Sequence, residues 1–199
     1  GLLAKGPVLI IGTKEEPVIL TGSGPSSEGG TWPGIALLKT QKSSDWTFVT
    51  IENTSGVKKG EWELTGGVNF YEAAIKMNHV TFFENRAEDA LNIVRSKFEL
   101  KSVMIKNTTS DAFDSDFSQG TIENGVFENI GSKGEGDGID VSGSEIIVKE
   151  TYFKNISDKA LSVGESSYME ASGINIKDVS IGAASKDGSR LFLSNSILT

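Results

Sequence analysis

Apolar and polar residues alternate in short bursts along this chain, and the bursts return at a nearly fixed interval. Seven segments carry a pattern of small, apolar, polar and apolar positions: Gly34-Ile35-Ala36-Leu37, Gly67-Val68-Asn69-Phe70, Ala90-Leu91-Asn92-Ile93, Ala112-Phe113-Asp114-Ser115, Gly138-Ile139-Asp140-Val141, Ala160-Leu161-Ser162-Val163 and Ala183-Ala184-Ser185-Lys186. Their small residues are spaced 33, 23, 22, 26, 22 and 23 positions apart. Period-two alternation predicts strands with one face buried. A repeat in the low twenties predicts a solenoid, in which each unit buries its apolar face only against its neighbours.

Each repeat holds two further strands. Val80-Phe82, Val103-Ile105, Val126-Phe127, Tyr152-Phe153 and Ile174-Ile176 stand just before a row of Asn85, Asn107, Asn129, Asn155 and Asp178. Upstream of these lie Ile75-Met77, Phe98-Leu100, Gly120-Ile122, Ile146-Val148 and Met169-Ala171. The spacing slips once, around Ser132-Lys133-Gly134-Glu135, which predicts a looped-out insertion. Three strands per turn describe an all-β parallel β-helix of about seven to eight coils, roughly 22 residues each, as a single domain over residues 1–199. Successive coils lie about 4.8 Å apart, so like residues stack into ladders. Stacked amides donate to one coil and accept from the next, which predicts Asn85, Asn107, Asn129 and Asn155 buried together inside one turn. On that view the glycosylation sequons at Asn107 and Asn155 are accidental.

The opening from Ala4-Lys5-Gly6-Pro7-Val8 through Gly12-Thr13-Lys14 and Trp32-Pro33-Gly34-Ile35, together with the asparagine row and Asp137-Gly138-Ile139-Asp140, resembles the right-handed parallel β-helix repeat proteins of the pectate-lyase-like superfamily. The likeness spans essentially the whole chain. It implies a right-handed solenoid, as parallel crossovers generally prefer, and it leaves function open, since these proteins include lyases, hydrolases, epimerases, adhesins and spacers.

Composition narrows the functions. The chain has no cysteine, which excludes disulfides, thiolate metal sites and a thiol nucleophile. A net charge of −8 speaks against nucleic acid as a partner. No apolar run reaches the roughly 20 residues of a membrane helix. The start, Gly1-Leu2-Leu3, reads as a cut inside a longer bacterial extracellular or surface protein, with neighbouring domains as partners. Exposed solenoid ends predict packing against such a domain or end-to-end self-association.

The charge is concentrated. Between Asp111 and Asp140 there are eight acids and one base, Lys133. Asp111, Asp114, Asp116, Asp137 and Asp140 fall on two adjacent coils, at outward or strand-entry positions of the first strand. Stacked carboxylates repel, so partners, protons or a cation must offset them. Three arrangements would do so: a solvated face, a Ca²⁺ site built from these five aspartates, or a carboxylate pair acting on a sugar. Asn92, Arg95, Lys159 and Tyr71 complete a candidate ligand groove on the same face, with Arg95 and Lys159 expected to pair with aspartates. Trp32, Trp46, Trp62 and Tyr71 supply rings for sugar stacking or for capping the core. Asp137-Gly138-Ile139-Asp140 is similar to part of a polygalacturonase signature, whose Gly-His-Gly and Arg-Ile-Lys elements are absent here; His79 is the only histidine. These features predict a non-catalytic scaffold or polysaccharide-binding segment. A calcium-dependent uronate lyase or epimerase is the alternative, and a rigid spacer the third reading.

Overall fold

The computed structural model describes residues 1–24, 30–59 and 62–199, and among them all regular structure is β. No helix is present there that could cross a membrane. The chain winds as a parallel solenoid of about six turns with about 23 residues per turn, fewer coils than the repeat count predicts. Three faces run along the axis. The first stacks Leu2–Ala4, Ile35–Leu38, Gly66–Tyr71, Asp89–Val94, Asp111–Asp116 and Ile139–Ser142, then the later parts of Tyr152–Gly164 and Asn175–Ser185. Lys97–Lys101, Gln119–Glu123, Glu145–Lys149, Tyr168–Ser172 and Arg190–Ser194 stack on the second face. Met104–Lys106, Val126–Ile130 and the start of Tyr152–Gly164 stack on the third.

The core is a column in which each inward row is one ladder. Val68, Leu91, Phe113, Ile139 and Leu161 are in register and fully buried, and Phe82, Ile105, Phe127, Phe153 and Ile176 do the same from the third face. The small row closes the corner before the first face. A Cβ on Gly67 would come within 2.2 Å of Thr54 Oγ1 and 2.3 Å of Asn85 Oδ1. The row ends at Gly182 rather than Ala183, because Leu161 pairs with Ala183. The outward row therefore ends at Ala184, not Ser185.

From the second coil on, the described corners turn on residues in the left-handed region, usually one each. The first-corner row is Lys39, Glu72, Arg95, Phe117, Gly143 and Glu165; the second is Phe48, His79, Ser102, Asn124, Glu150 and Gly173; the third is Asn53, Glu84, Asn107, Asn129, Asn155 and Asp178. Their φ values lie between 46° and 66°. Asn and Asp tolerate this conformation best after glycine, which explains the asparagine row. It is an outer ladder, not a buried one: Asn107 is half-buried, and Asn129 and Asn155 are exposed. Asn129 Nδ2 donates to Asn107 Oδ1 at 3.0 Å and Asn155 Nδ2 to Asn129 Oδ1 at 2.8 Å. Asn85 stands one register further on, buried and bonded to Thr54. Inward burial therefore gives no ground for setting aside the sequon at Asn155.

A buried hydroxyl ladder takes the internal role expected of the asparagines. The backbone N–H groups of Ser96, Ser118, Ser144 and Ser167 donate to the Oγ of Ser118, Ser144, Ser167 and Ser189 at 2.9–3.1 Å. Each stands just past the first face, two to four residues on, where the chain enters the second and the regular strand ladder is interrupted. Besides a turn closed by Thr13 N on Glu16 O in the first coil, two further insertions among the described residues depart from the regular coil. Gly131–Gly134 closes a turn around the predicted slip, and Val57–Lys59 pairs antiparallel with Trp62–Leu64 as a hairpin before the first face. Trp46 is core and Trp32 is half-buried, donating to Glu52 O at 2.7 Å, so both act as packing; the Trp62 side chain lies outside the described residues.

Candidate functional site

Charges on the second and third faces oppose each other in sign through the middle coils, with one like pair, Lys154 on Lys177, further along the third face. Lys101, Glu123 and Lys149 are in register on the second face, and Lys106, Glu128 and Lys154 on the third. Lys106 Nζ lies 2.9 Å and Lys154 Nζ 3.7 Å from the Glu128 carboxylate, which this pairing holds below the usual carboxylate range. A groove of about 630 Å³ runs over the second face past Lys76, Glu99, Gln119 and Tyr168. Its charges also satisfy each other, with Lys76–Glu99 at 2.7 Å and Gln119 Nε2 donating to Glu145 at 2.9 Å.

The first face breaks the rule. Its middle outward row reads Asn69, Asn92, Asp114, Asp140, Ser162, and its entry row Asp89, Asp111, Asp137, Lys159. Like charges stack here. The entry row is a backbone-capping ladder: Asp111 Oδ1 accepts from Asp137 N at 2.8 Å, and Asp137 Oδ1 from Lys159 N at 2.9 Å. Lys159 Nζ closes it, 3.3 Å from both Asp137 oxygens and bonded to Asp158. Lys159 thus forms the expected ion pair. Burial nevertheless raises Asp137, against the pull of Lys159.

The middle row is drawn together by Asn92. Its buried Nδ2 lies 2.9 Å from Asp114 Oδ2, 3.0 Å from Asp89 Oδ2 and 3.0 Å from Thr65 Oγ1. The amide supplies two hydrogens, and the Thr65 hydroxyl adds its own hydrogen bond to Asp89. Burial pushes Asp111 up to about 7. Asp114 is pushed further, by burial first and then by Asp89, Asp116, Asp140 and Asp111. Burial also raises Asp89 and Asp116. Ser162, next along the row, is fully buried, and its hydroxyl has no hydrogen-bond partner among the described residues.

The five aspartates do not form one cage. Asp111 and Asp137 belong to the entry row, Asp114 and Asp140 to the middle row, and Asp116 to a third row with Tyr71 and Val94. Among the described residues no three carboxylate or imidazole groups are placed to hold a metal ion. Asp111 Oδ1 and the Asp137 oxygens are committed to backbone N–H groups and to Lys159, which takes these two aspartates out of a shared calcium shell.

Arg95 makes no ion pair with the aspartates among the described residues, though its charge acts on Asp116. Its Nη1 donates to Tyr71 Oη at 2.9 Å, and its guanidinium carbon lies 5.9 Å from the Tyr71 ring and 5.4 Å from the Phe117 ring. Of the four groove candidates, Tyr71 and Arg95 therefore meet, Asn92 joins the carboxylates, and Lys159 closes the entry row. Beside Tyr71 a pocket of about 460 Å³ is lined by Lys5, Leu38, Lys39, Leu64 and Tyr71, with Leu64 contributed by the hairpin. Phe117 and Leu64 escape a reading by period. Strict alternation from Phe113 through Ser115 turns Phe117 inward, and the corner φ of 49° turns it out. The hydroxyl ladder was detectable, since Ser96, Ser118, Ser144, Ser167 and Ser189 keep the repeat spacing.

Comparison with protein families finds no match, and neither does comparison with curated proteins. Among solved structures, the chain is similar to an Asp-to-Ala variant of the catalytic domain of a GH87 α-1,3-glucanase in complex with tetrasaccharides, with TM-score 0.57 and 15 % identity. The match covers 96 % of this chain and 38 % of that one. At that identity the likeness is one of fold, and this chain spans well under half of the enzyme domain.

Proposed function

We propose that this chain is a polysaccharide-binding β-helical segment and that the outward side of its first face is the binding surface. The same-sign carboxylate ladder carries the reading. Two faces pair their charges along the axis apart from Lys154 on Lys177, whereas the first stacks Asp89 on Asp111 and Asp114 on Asp140 and buries much of that row. Folding does not require this arrangement; recognition of hydroxyl groups uses it. A protonated carboxyl donates and an ionised one accepts, so a row of both matches a polyol chain along the groove. The Leu38–Tyr71 pocket extends the surface by two coils, and the likeness to a domain that holds tetrasaccharides agrees with it. An extracellular or cell-surface setting follows from such a role.

The test is depletion of the protein from solution by insoluble α-1,3-glucan, cellulose and chitin, and its retardation in gels containing polygalacturonate or xylan. Binding to at least one, weakened at least tenfold in Asp114→Ala, is the expected outcome. No binding to any of them would remove the proposal.

One observation favours a second reading, acid–base cleavage of a glycan. Asp114 holds its proton near neutral pH beside Asp140, its in-register neighbour, and carboxyls in unlike environments are how glycosidases divide acid from base. Release of reducing ends, abolished in Asp114→Asn, would establish it. Unsaturated products absorbing in the ultraviolet would indicate a lyase instead.

A further inference from the structure

Exposed large apolar side chains fall where a solenoid must show them. One group runs from Leu2 to Ile19 in the first coil and another from Ile181 to Leu198 in the last ones. Two stand mid-solenoid. Ile147 is 37 % exposed on the flat second face, and Phe117 is 56 % exposed at a corner.

Phe117 occupies the left-handed first-corner position, which bulky residues seldom adopt. Phe48 does so at the second corner, but the His79 ring stacks on it at 4.7 Å. Phe117 has no such partner in the next coil, where the position belongs to Gly143. A Cβ there would come within 2.6 Å of the Phe117 ring, so glycine lets the ring lie over that coil. On the other side Arg95 is held between Phe117 and Tyr71. Arg95 takes part in no ion pair among the described residues, and Tyr71 engages one of its five N–H groups. A groove of about 320 Å³ opens beside the ring, with Arg95, Lys97, Gln119 and Glu145 around it.

We propose that Phe117 and Arg95 form a separate carbohydrate subsite at the first corner, beside the strand face, that takes one pyranose ring. This rests on the reading of the first face as glycan-binding. An aromatic ring with donors on one side (Arg95, Lys97) and, on the other, the Gln119–Glu145 pair, in which one Glu145 oxygen accepts from Gln119 and the other is left to accept from a ligand, matches a sugar, with an apolar C–H face edged by hydroxyls. The sugar's C–H face lies on the Phe117 ring and its hydroxyls accept from the free N–H groups of Arg95. Gly143 keeps the approach open, and Tyr71 fixes the guanidinium in advance, which lowers the ordering cost of binding.

The test uses the same polysaccharide panel with Phe117→Ala, Phe117→Trp and Arg95→Gln, each checked for an unchanged melting temperature. Phe117→Ala is expected to weaken binding at least tenfold and Arg95→Gln severalfold, while Phe117→Trp keeps or improves it. Wild-type binding that Phe117→Ala leaves intact overturns the subsite and spares the face. If the wild type binds nothing on the panel, both fall. Equal loss in Phe117→Ala and Phe117→Trp also overturns it, because stacking tolerates the larger ring.

Discussion

Single residues show how this solenoid satisfies its backbone. Ser118 Oγ accepts from Ser96 N at 3.0 Å and lies 2.9 Å from Asp116 O, inside the corner and out of water's reach. Ser118→Ala leaves a buried N–H without a partner and should cost about 1–3 kcal/mol by urea denaturation. The asparagine ladder works differently. Asn129 is exposed at φ 59°, so its role is conformational, supplemented by the amide bonds to Asn107 and Asn155. Asn129→Val should cost about 1–2 kcal/mol, because a β-branched residue fits the left-handed region poorly, whereas Asn129→Gly should be close to neutral. Equal losses for the two variants would show that the amide bonds, not the backbone, set its contribution.

At the scale of an element, the first face is the strand stack whose charges work against the fold. A carboxyl with its folded pKa above its unfolded value binds its proton more tightly when folded. Its contribution therefore favours folding at low pH and is lost as pH rises, for Asp111 between about 4 and about 7. Glu128 has the opposite sign: its folded pKa is depressed, so its contribution is present at neutral pH and fades in acid. Asp111→Asn keeps an acceptor for Asp137 N while removing the charge. It should raise the thermal midpoint at pH 8 and leave it nearly unchanged at pH 4. A midpoint no higher at pH 8 than that of the wild type would show that Asp111 is not under electrostatic strain. These ladders were partly legible in the sequence, since the aspartates cluster there. Their division into rows was not, because one residue of register decides whether an aspartate caps a backbone N–H or faces outward.

At the scale of the whole molecule, each coil is held by its neighbours, and the end coils have a neighbour on one side only. Leu2, Leu3, Leu9 and Ile11 are exposed in the first coil, while Leu91, Phe113 and Ile139 are fully buried in the middle. Amide exchange should accordingly be slowest from Val68 to Val163 and fastest in the first and last coils, as read by exchange mass spectrometry. A uniform profile would instead indicate one cooperative unit without fraying. Exposed ends also bear on association: a protein that stays monomeric at high concentration would leave neighbouring domains, rather than further copies, as the expected cover.

The architecture is legible in the repeat pattern alone. A repeat of small, apolar and polar positions in the low twenties permits little except stacked parallel coils, and it placed the core ladders, the small row and the acidic face. It could not tell an inner ladder from an outer one. Asparagine suits a buried amide stack and a left-handed corner alike, and only the φ values at Asn107, Asn129 and Asn155 separate the two. Nor could it pair the charges. Arg95 lies one coil from the aspartates in sequence, yet the corner that precedes Ser96 swings it between Tyr71 and Phe117. Strand alternation is local and survives in the sequence, whereas a corner reverses the side on which the next residue emerges, and Arg95 and Phe117 both stand at corners.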